Sequence, residues 1–366
     1  MNRKLLQNFL MSKSKEKIFI VAPCLSMGGM ERAAVNTANG LKALGYDIVF
    51  LSIIKKDHFF KLAEGIQLID PVGFNMKTMS LTKSVSWIRA VVYQHKPNQV
   101  LVFNKFYGAI TALALIGTGF KFSISERSSP LYKWDKKVSL LSRIAYWINP
   151  PKAVIAQTTI AREFQVKYYK NSKVKVIPNS VREVKIYPSI TRENFILAVG
   201  RLDDYLKGFD LLIEAFSLLA SKDWYLYFAG GEDKDSPLAE LAERLNVNSR
   251  IKFLGKIADL DEYYAKCGIY IIPSRSEGFP NALAEAMAAG CCCVAFDFVA
   301  GPRDLITDSH NGFIVEQNNP KALAEKLDRL ILDQSLRQSV GNNALEVRER
   351  LRVEKITQEI ADFILN

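Results

Sequence analysis

The sequence predicts an α/β protein built from two doubly wound parallel-sheet domains, each an open twisted sheet covered by helices on both faces. Three observations carry this. The chain has 366 residues, more than one ordinary core of about 150 to 200 residues accommodates. Short apolar runs alternate with segments of helical period, the pattern of parallel α/β sequence. That alternation stops at a polar, proline-containing stretch, VREVKIYPSITREN at 181–194, and then restarts. In the first series KIFIVAP, DIVFLSI, QVLVF, KFSISE, AVIAQ and KVIPN read as strands, separated by helical patterns at 30–44, 82–95, 106–117, 136–148 and 159–169. The second series is FILAVG, WYLYFAG, IKFLG, IYIIP, CCCVAF and FIV. The expected organisation is an N-terminal extension at 1–16, a first domain at 17–185, a second at 186–345, and a C-terminal helix at 346–366 returning towards the first.

Apolar residues make up 49% and charged residues 24%, the composition of a soluble globular protein. Charge divides unevenly. Residues 1–185 hold 29 Lys+Arg against 10 Asp+Glu (+19), and residues 186–366 hold 20 against 28 (−8), which together give the net +11. A basic first half fits nucleic acid, anionic lipid or a phosphorylated substrate. No RNA-binding aromatic motif or DNA-reading module accompanies it, so nucleic acid is not expected as a partner. The five cysteines contain no C-x-x-C pair and the three histidines lack ligand spacing, so buried free thiols in a reducing compartment are expected, and no metal. The N-terminal LLQNFLM is short, mixed and followed by SKSKEK, unlike a signal peptide. The apolar run at 106–120 spans 15 residues, short of the ~20 needed to cross a bilayer.

Ligands of open parallel sheets bind at the carboxyl ends of the strands, and the chemistry-bearing residues lie just after predicted strands. Gly28 and Gly29 follow the first; without a G-x-G-x-x-G fingerprint they serve a tight turn or a ligand loop equally well. Arg201 and Lys207, in GRLDDYLKG, stand at a strand-to-helix junction, where two cations neutralise a diphosphate or remain solvated. In SEGFPNALAEAMAAG at 276–290, Pro280 suits the first turn of a helix that Gly290 closes. The amides near 279–282 lack intrahelical partners and sit at the positive end of the helix dipole, which suits an anion. Glu277 lies in the entry loop and Glu285 within the helix, flanking that position.

Together GGMER after the first strand, IPNS before the interruption, GRL-x4-KG, FLG and the E-x7-E of EGFPNALAEAMAAG resemble glycosyltransferase family 4, over nearly the whole chain from Lys17. The resemblance implies GT-B architecture: two facing Rossmann-like domains, the first for the acceptor and the second for the nucleotide-sugar donor. It implies a retaining hexosyltransferase that uses a UDP-sugar as substrate, without a metal or other cofactor. Arg201 and Lys207 would then hold the donor diphosphate, helped by Gly28, Gly29 and the Gly278, Phe279 and Asn281 backbone. Glu285 would bind the ribose, and Glu277 the donor sugar near the reacting carbon. The catalytic set implied is Arg201, Lys207 and Glu277. Many members carry a histidine after the strand KFSIS, where this chain has Glu126-Arg127-Ser128. That variant is similar to the S-E-R segment of relatives that extend glycans on lipid-diphosphate carriers, so Glu126 and Arg127 are acceptor candidates, and no histidine role passes to Arg127. In AGPRDLI, Gly301 or Arg303 is expected to border the donor site, or the segment is a turn with Asp304 capping a helix. The alternatives to transfer are a nucleotide-sugar epimerase of the same build and a noncatalytic nucleotide- or lipid-binding partner.

The basic half and the segment at 132–147, YKWDKKVSLLSRIAYW, also predict peripheral docking on the inner face of an anionic plasma membrane, in the cytoplasm. Lys133, Lys136, Lys137 and Arg143 would meet headgroups, while Trp134, Leu140, Leu141, Ile144 and Trp147 would meet either the interface or the core.

Overall fold

The computed structural model describes residues 16–26, 28–54, 56–71, 80–187, 189–231 and 237–366; the expected N-terminal extension falls almost wholly outside them. The chain divides into two compact units, one running to Ser180 and resumed by Val353–Asn366, the other Val181–Arg352. The crossing at Val181 precedes the expected break at 185/186. Val181 N–H donates to Leu351 O and Lys185 N–H to Asp261 Oδ2, which binds these residues to the second unit.

The first unit holds β1 (Lys17–Ala22), β2 (Asp47–Ser52), β3 (Gln67–Ile69), β4 (Gln99–Phe103), β5 (Phe122–Ser125), β6 (Ala153–Ala156) and β7 (Lys173–Val176). Its helices are α1 (Gly29–Ala43), α2 (Leu81–His95), α3 (Lys105–Ala114), α4 (Lys136–Ile148) and α5 (Thr159–Tyr168). Strand order is β3-β2-β1-β4-β5-β6-β7, and every pair is parallel. The central strands are buried on both faces, which explains their continuous apolar runs. β7 stops before Ile177-Pro178, because proline has no N–H to donate to a ladder. The apolar run at 106–120 contributes α3, with Ala109, Ile110, Ala112 and Ala114 buried in the core behind β4 and β5.

The second unit holds β8 (Glu193–Val199), β9 (Tyr225–Ala229), β10 (Ile251–Phe253), β11 (Cys267–Ile272), β12 (Cys293–Phe296) and β13 (Phe313–Val315). Between them lie α6 (Phe209–Ser217), α7 (Pro237–Arg244), α8 (Asp261–Lys266), α9 (Asn281–Ala288) and α10 (Pro302–Leu305), followed by α11 (Pro320–Leu332), α12 (Gln334–Ala344) and α13 (Val347–Arg350). The order β10-β9-β8-β11-β12-β13 is again fully parallel. Cys291 and Cys292 precede β12 rather than lying in it, and all five cysteines are buried and free.

The last helix, α14 (Val353–Leu365), belongs to the first unit and packs on α1, with Thr357 against Gly40. Lys152 Nζ donates to Leu365 O at 3.2 Å, and Lys175 pairs with Glu359 at 2.7 Å. Among the described residues no helix is long and apolar enough to cross a membrane.

Candidate active site

In the second unit β8 and β11 are direct neighbours, so the residues after them share one edge of the sheet. Arg201 and Lys207 come from the segment after β8, and Glu277 from the loop after β11. Lys207 Nζ donates to Glu277 Oε1 at 2.7 Å, and Ser274 Oγ donates to the same oxygen at 2.7 Å. Two residues assigned to different parts of a donor are thus joined in one partly buried ion pair. Arg201 is 73% exposed at its side chain and pairs with Asp204 at 2.6 Å; that hydrogen bond raises its pKa above the usual arginine value.

Two glycines explain why the backbone can bring these groups together. Gly208 has φ +66°, and a Cβ there would lie 2.0 Å from Pro273 O at the end of β11. Gly230, after β9, has φ +132°, and its Cβ would lie 2.2 Å from Gly200 O. Only glycine permits both the positive φ and the close main-chain approach.

Arg275 was not legible in the sequence as part of the site. Its guanidinium binds both oxygens of Asp210 at 2.7 and 2.6 Å, stacks 3.8 Å over the Tyr205 ring and donates to Tyr205 O. It thereby clamps the turn that carries Lys207 onto the loop that carries Glu277.

Glu285 lies inside α9 and is 5% exposed. Its Oε2 accepts from Arg182 Nε at 3.2 Å, and Arg182 Nη2 also donates to Asp261 Oδ1. Burial opposes the charge on Arg182, but the Asp261 hydrogen bond and the nearby Glu285 and Asp261 carboxylates outweigh it and raise its pKa. Arg182, in the stretch that seemed only to separate the domains, therefore orients Glu285. Pro280 is the N-cap of α9, one place ahead of the expected first turn, and the Asn281 amide donates to Phe279 O at 2.9 Å. One of the amides expected to face an anion is thus turned onto the chain. The first i→i−4 bond is Ala284 N–H to Pro280 O, so Ala282 and Leu283 are the first-turn amides ahead of it. Phe279 is buried, which leaves its backbone rather than its ring for a ligand, and Gly278 lies between it and Glu277. Gly301 faces Pro280, while Arg303 forms a bidentate pair with Asp297 at 2.8 and 2.7 Å and is 68% exposed.

In the first unit Gly28 is the N-cap of α1, and the Glu31 carboxylate folds back over it, close to where a Cβ would be. The helix start is therefore covered by its own acid. Glu126 and Arg127, after β5, diverge. Arg127 is 9% exposed, stacks on Phe103 at 5.2 Å and hydrogen-bonds Asn179, which also accepts from Gln157 Nε2 at 3.1 Å. Burial lowers its pKa against the opposing charge of Glu126. It ties the S-E-R segment to the Asn of IPNS. Glu126 is 7% exposed, and its Oε1 accepts from the Arg127 and Ser128 amides, both at 3.1 Å. No group of His, Cys, Asp and Glu able to hold a metal occurs among the described residues.

Replacing Arg182 by Ala leaves Asp261 and Glu285 buried without their guanidinium. Breaking such a pair costs about 2 to 4 kcal/mol after allowance for the part of Arg182 that is solvated, a fall in Tm of roughly 5 to 15 °C. Thermal unfolding should show this loss, with partial recovery in Arg182→Lys; an unchanged Tm in Arg182→Ala would contradict the role given to the pair.

Residues 27–183 match the family Glycosyltransferase Family 4, and residues 179–347 match Glycosyl transferases group 1. The chain is 30% identical over 348 residues to an uncharacterized glycosyltransferase of Haemophilus influenzae, covering 93% of this chain and 97% of that one. It is 24% identical over 352 residues (94% and 96%) to the GalNAc-alpha-(1->4)-GalNAc-alpha-(1->3)-diNAcBac-PP-undecaprenol alpha-1,4-N-acetyl-D-galactosaminyltransferase of Campylobacter jejuni. Among solved structures, Anabaena Alr3699/HepE in complex with UDP superposes with a TM-score of 0.79 at 19% identity, covering 94% of this chain and 98% of that one; this likeness shows the GT-B fold. The two matches in succession, and a relative aligned over almost its full length, establish that the chain belongs to the group 1 glycosyltransferases, with a family 4 first half.

Proposed function

We propose that this glycosyltransferase is a retaining enzyme that moves a hexose or N-acetylhexosamine from a UDP-sugar to a glycan carried on a lipid diphosphate, in bacterial surface glycan synthesis. The observation that carries the donor half is the strand-edge cluster of Lys207 paired with Glu277, beside Arg201. The UDP complex of a solved protein of the same fold supports the nucleotide, and the undecaprenol-linked acceptor in a relative's name supports the acceptor class.

Transfer breaks the bond between the anomeric carbon and the diphosphate, so negative charge grows on the leaving phosphate and positive charge on the sugar. Arg201 and Lys207 stabilise the growing negative charge. Lys207 has three donors and can bind a phosphate oxygen while keeping or loosening its hold on Glu277, whose carboxylate then meets donor hydroxyls. Glu285, oriented by Arg182, receives the ribose. The two acids act in recognition, because an acid/base pair of the glycosidase kind needs carboxyls on both sides of one glycosidic bond. On the acceptor side we assign Glu126; Arg127 is buried, with Nη1 on Asn179 and its guanidinium over Phe103.

Arg201→Ala and Lys207→Ala should each lower turnover by roughly 30- to 1000-fold, the effect of losing one charge-assisted donor to the leaving group. UDP release from a panel of UDP-sugars, with and without a polyprenyl-diphosphate-linked glycan, measures this. Wild-type rates in both variants would overturn the assignment, and acceptor-independent release would favour an epimerase.

The second part of the reading is peripheral docking on the cytoplasmic face of an anionic membrane. On α4, Leu140, Ile144 and Trp147 are 61%, 48% and 80% exposed, so they do not serve the core. They border a cleft of about 850 Å³ with Arg143, Lys167 and Lys170 on its walls. Apolar side chains among cations match an anionic lipid surface, where each basic residue contributes about 1 kcal/mol. Cosedimentation with anionic liposomes should be strong at low salt, fall as salt rises, and weaken when Lys133, Lys136 and Lys137 are changed to Glu. Equal, salt-independent partitioning onto neutral and anionic liposomes would contradict it.

A further inference from the structure

A second depression lies in the first unit, separated from the basic cleft by the Tyr168–Tyr169 wall that both share. It is a cavity of about 170 Å³ at the carboxyl end of β5, lined in part by Lys105, Glu126, Trp134, Phe164, Gln165 and Tyr168. Its lining combines features that rarely coincide by packing alone. Gln165 is 6% exposed and its Oε1 has no hydrogen-bond partner, and a buried acceptor left unsatisfied is destabilising. Glu126 is buried, with Oε1 fixed by two backbone amides, and burial pushes its carboxyl pKa up. Lys105 Nζ sits 3.7 Å over the Tyr168 ring, a cation whose charge acts on Glu126. Aromatic rings complete the walls, with Trp134 held edge-to-face by Tyr132 at 5.0 Å.

We propose that this cavity is a saccharide subsite that takes one pyranose ring of the acceptor, its C–H face on Trp134 and its hydroxyls on Glu126, Gln165 and Lys105. The inference rests on the transferase reading and adds to it the place and chemistry of acceptor recognition. Volume and polarity both select this class. The depression has room for roughly six waters, the scale of one sugar ring. Gln165 Oε1 lacks a donor, which a hydroxyl or acetamido group supplies and a phosphate or carboxylate does not. An aromatic face beside polar groups suits a ring with one apolar face and a polar edge. A bare lipid chain would leave Gln165 Oε1 without a donor.

Saturation-transfer NMR with the methyl glycosides of glucose, galactose, N-acetylglucosamine and N-acetylgalactosamine tests this on the full chain. At least one glycoside should bind the wild type. Its binding should weaken by roughly tenfold in Trp134→Ala, as expected for losing an aromatic contact, weaken also in Gln165→Leu, and persist in Trp134→Phe, which keeps a ring. No glycoside binding, or binding equal in the wild type, Trp134→Ala and Gln165→Leu, overturns the subsite. UDP, read in the same samples, reports on the second unit: its binding should be the same in all four proteins, and its absence from the wild type would count against the donor reading independently of the glycoside result.

Discussion

Every strand pair in both sheets is parallel, and that constraint determines where polar chemistry can reside. Parallel neighbours need long crossovers, so helices cover both faces and the strands between them become apolar. The polar groups of the candidate sites accordingly stand in the loops beyond the strand ends. After β5 stands Glu126; after β8, Arg201; after β11, Glu277; after β12, Asp297 and its partner Arg303. The glycines at 208 and 230 follow from the same geometry, since main chains leaving adjacent strands crowd against one another at the edge of the sheet.

Within the second unit, cations of the site are already paired with acids. Lys207 holds Glu277, Arg201 holds Asp204, Arg275 holds Asp210, and Arg182 spans Asp261 and Glu285. Under the proposed function a diphosphate would exchange partners with these pairs, and a phosphate taken up by Lys207 would loosen its hold on Glu277. In the proposed donor role, the 2.7 Å contact between Lys207 and Glu277 would couple the phosphate end of the donor to the sugar end. Arg275 and Arg182 stand one step back, fixing the turn that carries Lys207 and the helix that carries Glu285. Preorganisation of this kind lets electrostatic stabilisation act without reorganisation during the reaction.

The sequence revealed the strands because burial on both faces writes itself as uninterrupted apolar runs, and the helices because their periods stop at Gly, Pro and polar residues. It missed β3, whose three residues carry too little pattern, and placed β12 two residues early because Cys291 and Cys292 are as apolar as the strand they precede. Arg201, Lys207, Glu277 and Glu285 stood out because their spacing belongs to a motif, and the structure pairs Lys207 with Glu277. Arg182 and Arg275 were not, because their roles exist only through contacts with residues far along the chain: Asp261 and Glu285 for one, Asp210 for the other. Arg127 looked like a ligand residue by position, yet its partner Asn179 lies 52 residues away and draws it inward. Exposure of Leu140, Ile144 and Trp147 likewise could not be read from the amphipathic pattern of α4, which serves a core or a surface equally.

The central claim is that the two acids of the second unit read different halves of one sugar nucleotide. Calorimetry of UDP and of a UDP-sugar against Glu285→Ala and Glu277→Ala tests it most directly. The account predicts that Glu285→Ala weakens UDP itself, whereas Glu277→Ala keeps UDP affinity and loses the added affinity or use of the attached sugar. Equal losses of UDP binding from both substitutions would contradict it.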